Sequence, residues 1–199
     1  MPQTYEYFTF KENEDGQTVT LTDYNSSLSD STDITIPATV DLVDGVWQEG
    51  TTYTVTAITD GGYNLGVFYD SGITSVTFPS SLKAIGSYAF QNCSGLTGEL
   101  NLGECTNLTS IGRYAFRYCS GLTGELNLGG CTSLTSIGSN AFSYCVALES
   151  VVFPEGSTDW EVSTSSSMSN PISVDVTDPS VNADNFTGQY RSYYWKRSA

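Results

Sequence analysis

The side chains that could do chemistry in this sequence are acidic groups and thiols, because its 199 residues include no histidine. That absence removes the commonest general base and every Ser-His or Cys-His nucleophilic arrangement. Glu99 and Glu125 occupy equivalent positions of two near-identical segments. Neighbouring strands would hold them about 5 Å apart, the carboxylate spacing of a retaining glycosidase, and the pair could also bind calcium. Any repeated carboxylate acquires this spacing, and no motif marks a pocket, so we predict a solvated acidic face rather than a catalytic or metal site.

The five cysteines recur at the same spacing as the glutamates and form two predicted columns. An odd number argues against a complete set of disulfides, and zinc would require CxxC-like clusters or histidine partners that the chain does not supply. We therefore predict buried, reduced thiols that act as small apolar groups, and no metal or other cofactor. The columns are Cys93, Cys119 and Cys145, and Cys105 and Cys131.

The charge of the chain limits its partners. Twenty-two acidic residues against seven basic ones give a net charge of −15, which makes nucleic acid and anionic membranes unfavourable partners. There is no apolar run of about 18 residues, so no transmembrane segment is predicted. The start, "MPQTYEYFTF", does not read as a secretory signal, so we expect either that the protein remains inside the cell or that a signal peptide or anchor has been trimmed from this chain.

These residues must be positioned by a repeat. The segment from Cys93 to Tyr118 is written again from Cys119 to Tyr144, a period of 26 residues. A period of this length with recurrent leucines indicates a leucine-rich-repeat solenoid, in which stacked units share one core. The copies differ at Glu104/Gly130, Asn107/Ser133, Arg113/Ser139, Tyr114/Asn140 and Arg117/Ser143. We predict an array over residues 53–156, a β-rich N-terminal cap over 1–52 and a C-terminal cap or tail over 157–199.

Each unit divides into two predicted elements. Apolar residues at helical intervals predict a short helical or 3₁₀ segment. The motif "ELNL" then alternates as a strand does, which directs its leucines inward and its Glu and Asn outward. In one unit the residues at helical intervals are Ile111, Ala115, Phe116, Cys119 and Leu122.

Both ends of the array need covering, because a solenoid without caps exposes sheet edges. The segments "YEYFTF", "TVTLT" and "DITIP" are predicted strands of the N-terminal cap. At the other end, "YRSYYWKR" predicts either a cap whose aromatic rings cover the last unit or a docking or sorting element. Its basic and aromatic residues are Tyr190, Arg191, Tyr193, Tyr194, Trp195, Lys196 and Arg197.

Differences between the copies suggest where a partner would bind. Positions 87, 113 and 139, and likewise 91, 117 and 143, vary without an apolar pattern, so we expect them to face water. Tyr and Arg are enriched among binding hot spots, which makes the variable turn residues the stronger candidates. The candidate partner-binding residues are Glu99, Asn101, Arg113, Tyr114, Arg117, Glu125 and Asn127.

The repeated residues resemble the BspA-like leucine-rich-repeat family, whose units read L-x-x-I-G-x-x-A-F-x-x-C-x-x-L. Three matches occur in register, beginning at Leu82, Leu108 and Leu134. The resemblance implies a bacterial protein that is secreted or held at the cell surface and that is often adhesive. On this basis we expect a monomeric, non-enzymatic binding or adhesion module, with a protein or glycan as its partner. The alternatives are a structural surface scaffold and a carbohydrate-active enzyme.

Overall fold

The computed structural model describes residues 7–28, 31–43, 46–47, 51–154, 159–164, 172–189 and 191–197. Within these ranges the chain is built mainly from short strands stacked along one axis, which confirms the predicted leucine-rich-repeat solenoid. The largest sheet runs along the whole stack, from the N-terminal residues through the repeats to the C-terminal strand. The predicted division at residues 52 and 156 stays a prediction.

The N-terminal part contains more strands than the sequence predicted. The predicted strands are present, although the first begins at Phe8, and Tyr5 and Glu6 of "YEYFTF" lie outside the described residues. The strand at Thr51–Ile58 pairs in parallel with the strand at Thr18–Tyr24 and with the two-residue strand at Ala84–Ile85 in the repeats. The largest sheet therefore passes from the cap into the array without a break. The strands are β1 (Phe8–Glu12), β2 (Thr18–Tyr24), β3 (Asp33–Thr35), β4 (Thr39–Val43), β5 (Val46–Trp47) and β6 (Thr51–Ile58).

Each repeat contributes two strands to different sheets. A two-residue strand joins the largest sheet and pairs in parallel with its equivalent one unit away, as Ser110 does with Ser136. A longer strand, formed by the "ELNL" segment as predicted, joins a three-stranded sheet on another side of the stack. The strands are β7 (Ser75–Thr77), β8 (Ala84–Ile85), β9 (Gly98–Asn101), β10 (Ser110–Ile111), β11 (Leu122–Asn127), β12 (Ser136–Ile137) and β13 (Leu148–Val152).

The segment predicted as a short helical or 3₁₀ segment is a series of tight turns, which has hydrogen bonds of the 3₁₀ kind but forms no regular helix. Ile111 ends strand β10 rather than beginning a helix. In the turns that follow, alternate amides make bonds over three residues, as from Ala115 to Gly112, as a 3₁₀ helix does. The amides between them donate to the next repeat instead, as from Phe116 to Ala141 at 2.8 Å. A helix cannot form because half of its donors are used to join the repeats. We call residues 86–93, 112–119 and 138–145 the turn segments.

A column of phenylalanine rings fills the core beneath the turn segments. Phe68, Phe90, Phe116 and Phe142 stack nearly parallel, with ring centroids 4.5, 4.9 and 5.3 Å apart. All four are fully buried, so the inward prediction for Phe116 is confirmed. The column ends against the N-terminal Tyr24 ring, 5.0 Å from Phe68. The stack is therefore one continuous core that the two ends of the chain close.

The C-terminal residues close the last repeat. Strand β16 (Tyr194–Arg197) pairs antiparallel with β12 and extends the largest sheet past the repeats. Trp195 is buried, and the Phe186 ring meets Phe142 edge-on at 5.3 Å. This geometry supports the cap interpretation of "YRSYYWKR", of which Tyr190 lies outside the described residues. The other elements here are β14 (Asp159–Ser163), β15 (Ile172–Asp175), helix α1 (Pro179–Asp184) and a π turn (Asn185–Gln189).

Among the residues that the structure describes, no helix has the length and apolarity needed to cross a bilayer.

Candidate binding surface

The backbone of the turn segments brings exposed side chains of successive repeats together. Tyr114 and Tyr118 have positive φ angles of 60° and 63°, a left-handed conformation that is unusual for tyrosine. The equivalent residues of the segments before and after have the same sign of φ. Because the backbone repeats in register, side chains at these positions form ladders that run along the stack.

Tyrosine pairs occupy these ladders. Tyr118 and Tyr144 stack with centroids 4.4 Å apart and an angle of 15° between their planes. Tyr88 and Tyr114 lie 5.0 Å apart at a tilt of 45°. Tyr118 and Tyr144 are each 37% exposed, whereas the phenylalanines below them are buried. The turn segments thus carry two aromatic layers, one in the core and one at the surface.

Arginine side chains lie across the outer aromatic layer. The Arg113 guanidinium lies 4.4 Å from the centroid of the Tyr114 ring, and its Nη2 donates to the Tyr114 hydroxyl at 2.8 Å. Arg117 lies 5.0 Å from the Tyr114 ring and 4.5 Å from the Tyr118 ring, and its Nη2 donates to the Tyr118 hydroxyl at 3.2 Å. Arg191, from the C-terminal part of the chain, lies 5.5 Å from the Tyr144 ring.

We call this group the Arg–Tyr surface. It consists of Tyr88, Arg113, Tyr114, Arg117, Tyr118, Tyr144 and Arg191.

The charges of the Arg–Tyr surface contrast with the rest of the chain. It holds three of the seven basic residues of a chain whose net charge is −15. Partial burial lowers the pKa of Arg113, but the hydrogen bond to Tyr114 and the nearby tyrosines outweigh it, so the pKa lies above its ordinary value. The groups acting on Arg113 are the tyrosines at 114, 88 and 194 rather than carboxylates. Its positive charge is therefore available to a partner.

A cleft lies beside the Arg–Tyr surface. It has a volume of about 230 Å³ and is lined by residues of three neighbouring strands of the largest sheet, β10, β12 and β16, and of the turns that follow β10 and β12. Gly112, which lines this cleft, directly precedes Arg113 in the chain, so the cleft and the surface adjoin. The other residues that line it are Ser110, Ile111, Ser136, Ile137, Gly138, Tyr194, Trp195 and Lys196.

The strand residues predicted to bind a partner lie on different elements from the turn residues. Glu99 and Asn101 belong to β9, and Glu125 and Asn127 belong to β11. The Asn101 and Asn127 side chains accept hydrogen bonds from the backbone two residues ahead, at 2.9 and 2.8 Å. These side chains therefore fold the chain into the following turn. The structure brings Arg113, Tyr114 and Arg117 together and leaves the four strand residues separate from them.

The two glutamates do not form the simple ladder that the sequence suggested. Leu122 pairs with Gly98 and Leu126 pairs with Leu100. Between these two pairs β11 contains two more residues than β9, so the register of the strands is irregular there. Glu125 is in register with Ser150 of the following strand. Within the parts of the chain that the structure describes, no group of three acidic, cysteine or histidine residues is arranged to hold a metal.

The expectation that both variable positions of the turns face water is wrong for three residues. Ser139 and Gln91 are each only 3% exposed, and Ser143 is fully buried. At the equivalent positions Arg113 is exposed and Arg117 is half-buried, so the exposure of these positions differs from one repeat to the next. Within the described residues, polar atoms of Gln91, Arg117 and Ser143 are buried without a hydrogen-bond partner, and these residues share one position of the repeat.

The prediction for the cysteines is confirmed, since all five are buried and free. The Sγ atoms of Cys119 and Cys145 each donate to a carbonyl of the preceding repeat at 3.1 Å. Burial raises the pKa of the Cys105 thiol to about 11 and that of Cys131 to about 12. The thiols thus serve the core, and those of Cys105 and Cys131 keep their protons at neutral pH.

Sequence reasoning did not select the remaining tyrosines. Tyr118 and Tyr144 are identical in the two copies, so a search for variable positions passed over them. For Arg191 the sequence predicts only a place in the C-terminal segment and no contact with the turn segments. The available signal was the recurrence of Tyr at a position next to a variable Arg or Ser.

Comparison with known proteins identifies the repeat. A family model for BspA-type leucine-rich-repeat regions matches residues 64–183 with six copies. No protein of curated function matches the sequence.

Several solved structures resemble the chain. A leucine-rich-repeat protein from Bacteroides capillosus is 33% identical, with a TM-score of 0.61 over 77% of this chain and 97% of that one. A leucine-rich cell surface protein from Faecalibacterium prausnitzii is 23% identical, with a TM-score of 0.47 over 90% of this chain and 62% of that one. A leucine-rich-repeat protein from Bacteroides ovatus is 25% identical, with a TM-score of 0.46 over 77% and 42%.

Proposed function

Because this chain belongs to the BspA-type leucine-rich-repeat family, we propose that it is an extracellular or cell-surface adhesion module that binds a protein or glycan through the Arg–Tyr surface. The family supports a binding module in general terms, since repeat solenoids offer long surfaces that are used to bind other macromolecules. The fold does not select the ligand, so the site must be argued from side chains.

The observation that carries the proposal is the placement of Arg113 and Arg117 over surface tyrosines. Tyr and Arg are the residue types most enriched at binding hot spots. Arginines that lie against rings have already lost much of their side-chain freedom. They therefore lose less conformational entropy when a partner binds. The asparagines of the strand face are occupied by backbone hydrogen bonds, so that face offers fewer free groups.

The repeat itself supplies the test. Exchanging Arg113→Ser, Tyr114→Asn and Arg117→Ser copies the residues of the next repeat into this one, and we call the result the repeat-copy variant. Because the new residues already stand at these positions of the stack, we expect unfolding free energy to change by no more than roughly 1 kcal/mol. Glu99→Gln with Glu125→Gln, the strand-face variant, is the matched control.

Binding would be screened with the parent protein against extracellular-matrix proteins and a glycan array. A partner found there should bind the repeat-copy variant at least about tenfold more weakly, a loss of about 1.4 kcal/mol. It should bind the strand-face variant as it binds the parent. Equal affinity of the parent and the repeat-copy variant would remove the Arg–Tyr surface as the site. Turnover of a glycan that is lost in the strand-face variant would instead indicate an enzyme.

A further inference from the structure

The charge pattern around the Arg–Tyr surface restricts the partner's chemistry. The arginines concentrate positive charge at one place on a chain with a net charge of −15. Such a field repels a polyanion along its whole length, and it also repels a second copy of this chain. Positive charge confined to one surface attracts a partner that carries a few anionic groups and is otherwise neutral or basic.

The arginines are held in a geometry that suits carboxylates. Each of Arg113 and Arg117 uses its Nη2 to donate to a tyrosine hydroxyl, which fixes the plane of the guanidinium against a ring. Within the described residues these bonds leave the Nη1 hydrogens of both arginines without an assigned acceptor. A guanidinium whose plane is fixed presents its donors in a direction that matches a carboxylate.

The adjoining cleft suits a side chain rather than a sugar chain. Its volume of about 230 Å³ is below the roughly 300 to 1,000 Å³ typical of small-molecule pockets. Its lining combines the apolar residues Ile111, Ile137 and Trp195 with Tyr194, two serines and Lys196. A single side chain next to a carboxylate would fit there, with the neighbouring carboxylate over Arg113.

We infer that the partner is a protein, and that the segment it places on the Arg–Tyr surface carries aspartate or glutamate among neutral residues. This inference rests on the proposed function, because it names the partner class of the same surface. Recognition would combine hydrogen bonds from the arginine Nη1 groups to the carboxylates with contact on Tyr118 and Tyr144. Because carboxylates on a partner surface lie in water, the interaction should weaken as salt rises.

A displayed library of random heptapeptides would test the inference. It would be selected in parallel on the parent, the repeat-copy variant and the strand-face variant, each checked for native circular dichroism. We expect peptides enriched severalfold in Asp and Glu on the parent and on the strand-face variant, and loss of that enrichment on the repeat-copy variant. In a selected peptide, replacing each carboxylate by its amide should weaken binding by about tenfold or more.

The outcomes separate the two proposals. Peptides without acidic enrichment that bind the parent but not the repeat-copy variant would overturn the carboxylate inference and leave the proposed surface in place. Peptides that bind the parent and the repeat-copy variant equally would overturn both. Tighter binding of heparin than of any selected peptide would show that the surface takes a sulfated glycan, and would overturn the inference. A library that yields no enriched peptide on the parent would also contradict it.

Discussion

Replacing Phe116 with alanine should strongly destabilise the protein. Its ring is fully buried and lies between Phe90, at 4.9 Å, and Phe142, at 5.3 Å. The neighbouring turns cannot close on the cavity, because backbone hydrogen bonds of 2.7 and 2.8 Å fix the spacing of the repeats there. Phe→Ala substitutions in cores cost about 3 to 5 kcal/mol, and a rigid site places this one in the upper half of that range, at about 4 to 5 kcal/mol. That is a large part of a typical stability of about 5 to 15 kcal/mol.

Urea denaturation would measure the effect with two probes. Far-ultraviolet circular dichroism reports the whole stack. With Trp47 replaced by Phe in every protein compared, fluorescence of the remaining Trp160 and Trp195 reports the C-terminal part, so agreement of the probes shows that the array unfolds as one unit. The control is Tyr118→Asn, which copies Asn92 of the preceding repeat and keeps a residue that tolerates positive φ. It removes surface contacts only, the ring pair with Tyr144 and the contacts with Arg117, so we expect a loss of no more than about 1.5 kcal/mol. A loss below about 1 kcal/mol for Phe116→Ala would refute the stacked core.

Three other predictions follow from the core. Gly112→Ala should cost about 1 to 3 kcal/mol in urea denaturation, because its Cβ would clash with the backbone nitrogen of Ser87, whereas Gly72→Ala, with no neighbour nearby, should cost little; equal effects would contradict the close approach of the repeats. All five thiols should react slowly with a chromogenic disulfide until denaturant is added, and fast labelling of three or more in the native protein would disprove their burial. The raised pKa values of Cys105 and Cys131, to about 11 and 12 against about 8.5 in an unfolded chain, mean that stability should be fully retained below about pH 8.5 and fall as pH rises from there through pH 11. Comparison with a Cys105→Ala, Cys131→Ala double variant isolates this thiol contribution, and an equal decline in both proteins would contradict it.

The sequence predicts the core because the same core residues recur in three successive repeats. Residues that must stack, such as Phe116 and Cys119, stay identical at a spacing of 26, and no other arrangement buries all the copies at once. The alternation of "ELNL" predicted the strands for the same reason. Local pattern and tertiary stacking agree at these positions, so the sequence was sufficient.

The turn segments could not be predicted because their backbone depends on hydrogen bonds between repeats. The spacing of Ala115 and Phe116 is compatible with a helix, but alternate amides donate to the next unit. Left-handed tyrosines at 114 and 118 follow from that arrangement, and tyrosine has no intrinsic preference for it. The burial of Gln91 and Ser143 depends on the same stacking between repeats. Their polar character alone therefore predicts, wrongly, that they face solvent.

The candidate surface was predicted only in part. Arg113, Tyr114 and Arg117 were selected because they differ between copies, and the structure places them together. Arg191 joins the surface through Tyr144, 47 residues earlier in the chain, because the C-terminal segment runs beside the last turn and the Arg191 carbonyl accepts the amide of Asn140 at 2.7 Å. A contact between such distant segments has no periodic signal in the sequence.

The most direct test of the proposed binding surface is hydroxyl-radical footprinting of the protein with and without its bound partner. Tyr118 and Tyr144 are each 37% exposed on the Arg–Tyr surface, and Tyr63, 68% exposed and outside that surface, serves as an internal reference. We predict that the partner lowers oxidation of Tyr118 and Tyr144 severalfold and leaves Tyr63 unchanged. Unchanged oxidation of Tyr118 and Tyr144 in a saturated complex would contradict the Arg–Tyr surface as the binding site.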